Sequence, residues 1–192
     1  MSFGGASSKS RGRRTFATTP AHEIESAVKE KCLSLLAMQP RTRVELERKL
    51  IQAEAPPEIV TQVLDRLTVV GLVDDASFAQ AYVRTGVAVR RRGTRSLRSE
   101  LRGRGVSDAD IETAAEEVSE DTERATALAL ASRRAPSLAR FAPEVRRRRL
   151  MGLLVRRGFD SAIVSSVLSE VMASFATDFG ADDEGDDDDS GE

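Results

Sequence analysis

Tryptophan is absent, cysteine and histidine occur once each, and aromatic side chains make up only 4% of the 192 residues. A lone Cys32 excludes a disulfide framework or a cysteine-based zinc site within one chain, and the reducing cytoplasm is the expected compartment. With His22 as the only imidazole, no credible nucleophile–base pair is available. Apolar runs are short, as in LSLLAM at 33–38, far below a membrane span. The basic start (Lys9, Arg11, Arg13, Arg14) leads into FATTPAHEIE and not into an apolar stretch, so neither a signal peptide nor export is expected. No GxxxxGK[ST] occurs, which argues against nucleotide binding through a P-loop. Strand-like alternation is almost missing as well. What is abundant is Ala, Leu, Arg and Glu, the residues of helices, and the fold class follows as all-α.

Helix punctuation divides the chain into about nine helices. The signals are Thr19 before Pro20, Thr42 with Glu45, Pro56-Pro57, Gly71 before Asp74-Asp75, Gly93-Thr94, Gly105 before Ser107 and Asp110, Pro143, and Gly158 before Asp160. Asp74 and Asp75 are the best-placed carboxylate pair. Adjacent residues diverge at a helix start, so we read them as an N-cap and a first-turn acid, not as metal ligands.

Internal repetition matters most. ELERKLIQAEAPPEIVTQVLDRL (45–67) lies over RLMGLLVRRGFDSAIVSSVLSEV (149–171) at a constant shift of 104. Leu46, Leu50, Ala55, Ile59, Val60, Val63, Leu64 and Leu67 fall on Leu150, Leu154, Phe159, Ile163, Val164, Val167, Leu168 and Val171. A middle copy, SLRSELRGRGVSDADIETAAEEV (96–118), matches with one extra residue placed between Val106 and Ile111. The period is about 52 residues, each unit being one long helix and two shorter ones, with too few apolar side chains to be stable alone. The expected organisation is a basic arm (1–18), three-helix repeats at 19–70, 71–118 and 119–174, and an acidic tail (175–192). Arm and tail offer little apolar area to offset the entropy of ordering, and we expect both to be disordered.

The formal net charge of −2 conceals an asymmetry. Residues 158–192 hold 11 of the 31 acids and no Lys or Arg, which leaves 29 bases against 20 acids in residues 1–157, about +9. Residues 84–104 carry eight arginines against Glu100 alone, and residues 133–157 carry nine against Glu144 alone. Like charges this dense repel unless an anionic surface accepts them. On an ideal helix from Thr94, Arg95, Arg98 and Arg102 lie opposite Leu97 and Leu101. On the helix from Pro143, Arg148, Arg149, Gly152 and Arg156 form a stripe beside an apolar face of Leu150, Met151, Leu153 and Leu154. Gly152 would let a partner approach the backbone closely. The candidate binding residues are therefore Arg90, Arg91, Arg92, Arg95, Arg98, Arg102 and Arg104 in the first cluster, and Arg146, Arg147, Arg148, Arg149, Arg156 and Arg157 in the second. Few aromatics accompany them, which disfavours base stacking and leaves phosphates, an acidic protein groove, or both.

GLVDDASFAQAYV (71–83), RRRGTRSLRSELRGRGVSDADI (90–111) and LLVRRGFDSAIVSSVL (153–168) together resemble the RecX family of regulators of the RecA recombinase, over residues 24–172. The resemblance implies tandem three-helix units in a curved, elongated monomer lying in the groove of the RecA–DNA filament. It also implies inhibition of ATP hydrolysis, strand exchange and coprotease action, and hence modulation of recombinational repair and the SOS response. No catalytic residue, cofactor, metal or membrane partner is implied, and direct DNA binding would be weak and indifferent to sequence. IQAEAPPE (51–58) departs from the pattern by lacking the basic helix end and glycine turn found at Gly105 and Gly158. The other reading is a DNA-binding helix-turn-helix protein that acts without RecA, since two short helices at a glycine turn also describe that motif. Its recognition helices would start SDADIE and DSAIVSS, acidic or neutral, where base readout calls for Asn, Gln, Arg or Lys.

Overall fold

The structure, a computed structural model, describes residues 20–179, and the expected basic arm lies outside them. Nine α-helices and no strand are found among the described residues. They are α1 (Ala21–Met38), α2 (Arg43–Gln52), α3 (Pro57–Val69), α4 (Asp75–Ala88), α5 (Thr94–Gly103), α6 (Asp108–Glu116), α7 (Glu120–Arg134), α8 (Pro143–Arg157) and α9 (Ser161–Phe179), with a 3-10 turn at Ala135–Leu138. A group of three helices recurs three times, and the first helix is the longest in α1–α3 and α4–α6, whereas in α7–α9 the last is, with 19 residues against 15 and 15. Three apolar clusters accompany them, one within α1–α3 and the residues just after it, one within α4–α6 and one within α7–α9.

Local chemistry explains the boundaries. Gln39, held extended ahead of Pro40, stops α1, and Pro57 opens α3 with its φ already helical. Asp74 caps α4 by accepting the Ser77 N–H at 2.9 Å, Ser107 caps α6 through Asp110 N–H at 3.1 Å, and Ser119 caps α7 through Thr122 N–H at 3.2 Å. Asp75 follows inside the first turn of α4, as expected.

Packing divides the chain into two compact units, Glu45–Val73 with the residues up to Arg41 in one, and Asp74 onward together with Thr42–Val44 in the other. In the first unit, Ile24, Val28 and Cys32 line one side of α1 at four-residue spacing and join Leu46, Leu50, Val60, Leu64 and Leu67 in the core. In the second, α4–α9 form one body. Its interior junction is the turn after α8 set against the start of α5. Gly93 N–H donates to Arg157 O at 2.9 Å and Ser96 Oγ to the same carbonyl at 3.0 Å. A Cβ on Gly93 would stand 2.2 Å from Gly158 O, and one on Gly158, at φ +82°, would stand 2.2 Å from Ser96 Cβ. Glu123 of α7, buried at 6% exposure, completes the junction by accepting from Thr94 N–H and Thr94 Oγ1, both at 2.9 Å. It thus caps α5 from outside that helix.

Two expectations are corrected. The middle repeat needs no extra residue, because the buried positions Leu97, Leu101, Val106, Ile111, Ala114 and Ala115 follow Leu46, Leu50, Ala55, Val60, Val63 and Leu64 at one constant offset. Ile111 is the counterpart of Val60 and not of the half-buried Ile59. The tail expected from residue 175 starts too early, since α9 runs to Phe179 and Phe175 is buried in the third cluster. The rest of that tail lies outside the described residues.

Candidate functional site

All thirteen candidate arginines sit in the second unit, and folding sorts them into three environments. On α5, Leu97 and Leu101 are fully buried and turn the arginine face outward. That face is already neutralised. Arg98 donates to Glu112 at 3.1 Å, Arg102 donates to Asp108 at 2.7 Å, and Arg92 pairs with Glu100 and donates to Ser96 at 3.2 Å. The window 84–104 counted Glu100 alone because Asp108 and Glu112 arrive from α6, the helix folded back on α5. These pairs are partly exposed, from 29% at Glu100 to 77% at Asp108, worth about 0–1 kcal/mol each, and exchangeable for an incoming anion. Arg95 is exposed without a partner among the described residues.

The second environment is aromatic. Arg90 and Arg104 lie 4.4 and 4.9 Å from the centre of the Tyr82 ring, whose hydroxyl donates to Glu100 at 2.5 Å. Arg146 covers Phe175 at 4.4 Å, and Arg149 and Arg140 meet Phe141 at 3.9 and 4.9 Å. A ring face under a guanidinium contributes about 0.5–1 kcal/mol where the cation is exposed, as Arg90, Arg140 and Arg149 are, and fixes where the charge sits. Arg157 is used structurally, donating to Arg90 O at 2.8 Å, and Arg91 takes a left-handed φ of +51°. Tyr82, Arg140 and Phe141 were not among the candidates. The resemblance quoted Tyr82, but nothing in the spacing pointed it at the arginines.

The third environment is the outer surface of α8. Leu150 and Leu154 are fully buried beneath it, and Leu153 is half-buried. Met151, expected on the apolar face, is 40% exposed and lines up with Arg147 and the exposed Val155 at four-residue spacing. Arg147, Arg148 and Arg156 are exposed without a partner among the described residues. A hollow of about 490 Å³ opens between α8 and the end of α7, lined by Arg134, Arg148, Arg149 and Arg156 over Leu138 and Leu153, with no acid in its wall. Gly152 lies in its floor. A Cβ there would come within 3.0 Å of the Arg156 guanidinium, so the missing side chain leaves that cation its place. Arg134 escaped sequence reasoning because it ends α7, a helix away from the stripe it joins.

Among the described residues no group of three or more His, Cys, Asp or Glu is placed to hold a metal ion, and no helix is long and apolar enough to cross a membrane. The site presents guanidinium groups: it can bind anions by paired, charge-assisted hydrogen bonds.

Comparison with known proteins agrees along most of the chain. Models of the first, second and third three-helix domains of RecX match residues 29–67, 74–114 and 121–168. The chain is 44% identical over 132 residues to the regulatory protein RecX of Thermobifida fusca, covering 69% of this chain and 71% of that one. It is 36% identical over 165 residues to the regulatory protein RecX of Streptomyces coelicolor, covering 86% of each. A crystal structure of RecX from Lactobacillus salivarius superposes with a TM-score of 0.74 at 22% identity, over 78% of this chain and 97% of that one. A second crystal structure of a regulatory protein RecX gives 0.72 at 24% identity, over 77% and 74%. At those identities the two structures speak for the fold.

Proposed function

The chain belongs to the RecX family of regulatory proteins, and from that membership we propose that it is a negative regulator of RecA that binds in the groove of the RecA–DNA filament. In this reading it acts as a cytoplasmic monomer that lowers ATP hydrolysis, strand exchange and coprotease activity, and so moderates recombinational repair and the SOS response. It does so without chemistry of its own. The observation that carries the reading is the outer face of α8, where Arg147, Arg148 and Arg156 stand with no described partner beside an acid-free hollow. Unpaired guanidiniums at this density favour an anionic partner, either phosphates or carboxylates of the recombinase. Arg95 extends the same surface chemistry to α5, and the paired Arg92, Arg98 and Arg102 become available when an incoming anion displaces Glu100, Asp108 or Glu112.

Direct DNA binding without RecA is the weaker reading. Of the helices that would enter a groove, α6 begins with Asp108 and α9 directly follows Asp160, both exposed acids. The two readings part in one assay. The chain should suppress DNA-dependent ATP hydrolysis by RecA at concentrations where it barely binds bare DNA; suppression that only tracks occupancy of bare DNA would support the other.

A further inference from the structure

The hollow at α8 has a candidate ligand within the chain itself. Asp182, Asp183, Glu184 and Asp186 to Asp189 place seven acids in eight positions, and they begin three residues beyond the end of α9. α9 returns antiparallel to α8: the chain reverses at Gly158 to Asp160, and Phe175 lies under the Arg146 guanidinium at the other end of the pair. The described chain therefore ends near the N-terminal end of α8, about one helical turn beyond the level of Arg146. From Arg146 to Arg156 the helix rises about 15 Å. Thirteen residues, 180–192, reach roughly 43–47 Å when extended, more than enough to double back along that distance.

Charge selects this destination over the other arginine cluster. On α5, Glu100, Asp108 and Glu112 already answer Arg92, Arg98 and Arg102. In the hollow, the guanidiniums of Arg134, Arg148 and Arg156 have no partner among the described residues, and the fourth arginine, Arg149, rests on the Phe141 ring, which leaves its charge unanswered. Four guanidiniums facing one concavity repel one another unless a multivalent anion enters. A tethered run of carboxylates enters at a high effective concentration and with little loss of translational freedom.

We propose that the hollow between α7 and α8 is a polyanion site whose occupant in the free protein is the acidic segment 182–189, so that an outside partner must displace it. The proposal deepens the reading of α8 as an anion-facing surface by adding how access to it is regulated. It is tested in the full chain without RecA, so a failure of the RecA assay leaves this test standing. Cys32 is fully buried and burial raises its thiol pKa, so a Ser190→Cys variant takes a nitroxide label at the new position alone. At low ionic strength the label should broaden the backbone amide signal of Gly152. The broadening should vanish when the seven acids are replaced by Asn and Gln, in the background R134Q/R148Q/R156Q, and in high salt, where screening is strong. The acid-neutralised variant should also bind an oligothymidylate about tenfold more tightly at low salt, a difference that closes as salt rises. A Gly152 signal unaffected by the label at low ionic strength would overturn the proposal. So would broadening confined to the neighbourhood of Arg95, or equal oligothymidylate affinities for the acidic and neutralised chains.

Discussion

Glycine and its substitutes show how single residues shape this molecule. Gly105 and Gly158 end α5 and α8 with φ +82°, and the corresponding turn after α2 uses Glu54 at φ +63°. A left-handed residue is thus required at this point of every repeat, and a glycine supplies it in two of three. At Gly158 the requirement is doubled, because the absent Cβ also gives Ser96 its place against the turn. Gly158→Ala should therefore destabilise the protein by at least about 2 kcal/mol, from the conformational cost of 1–2 kcal/mol plus the displaced contact. Urea unfolding measures this directly, and a loss below about 0.5 kcal/mol would mean that the turn relaxes without penalty. The aspartates at the start of α4 make a parallel point. Backbone N–H donation from Ser77 lowers the pKa of Asp74, whereas burial raises that of Asp75, which accepts the Arg43 N–H at 2.9 Å. Neighbouring identical residues do different work according to what surrounds them.

Helices are the scale at which sequence and structure agree best and also where they part. Leu46, Leu50, Leu97, Leu101, Leu150 and Leu154 were legible as core from four-residue spacing alone, and all are buried. The offset of the middle repeat was not, because α6 buries small residues, Ala114 and Ala115, where α3 and α9 bury Val and Leu; alanine is too weak a hydrophobic signal to set a register. Periodicity also misplaced Met151, since a wide apolar stripe does not say which of its edges the core reaches. Nothing in the spacing announces Glu123 either. A buried carboxylate on a surface-patterned helix becomes intelligible only when α7 brings it to Thr94, and with it α5 gains the cap that Gly93 has no side chain to supply. Glu123→Ala should cost about 2–3 kcal/mol by leaving Thr94 N–H and Oγ1 without their acceptor. Glu123→Gln keeps one acceptor oxygen and should cost distinctly less; equal losses for the two in urea unfolding would show that packing, not capping, is what Glu123 provides.

Across the whole molecule the arginine excess was legible as charge but not as availability. Counting along the chain credited Arg98 and Arg102 with one acid nearby, whereas folding supplies Asp108 and Glu112 from the next helix. It equally hid Arg134, which joins Arg148, Arg149 and Arg156 only after α7 and α8 pack. The balance therefore shifts toward α8 as the surface with unanswered charge. The most direct measurement is the DNA-dependent ATPase of RecA titrated with the intact chain and with R147Q/R148Q/R156Q, after matching melting curves confirm that both are folded. These side chains are exposed and make no hydrogen bond or ion pair among the described residues, so stability should be unchanged, while half-inhibition should require at least tenfold more of the variant, roughly the loss of one charge-assisted hydrogen bond. Equal inhibition by the two proteins would contradict the assignment of α8 as the partner-facing surface.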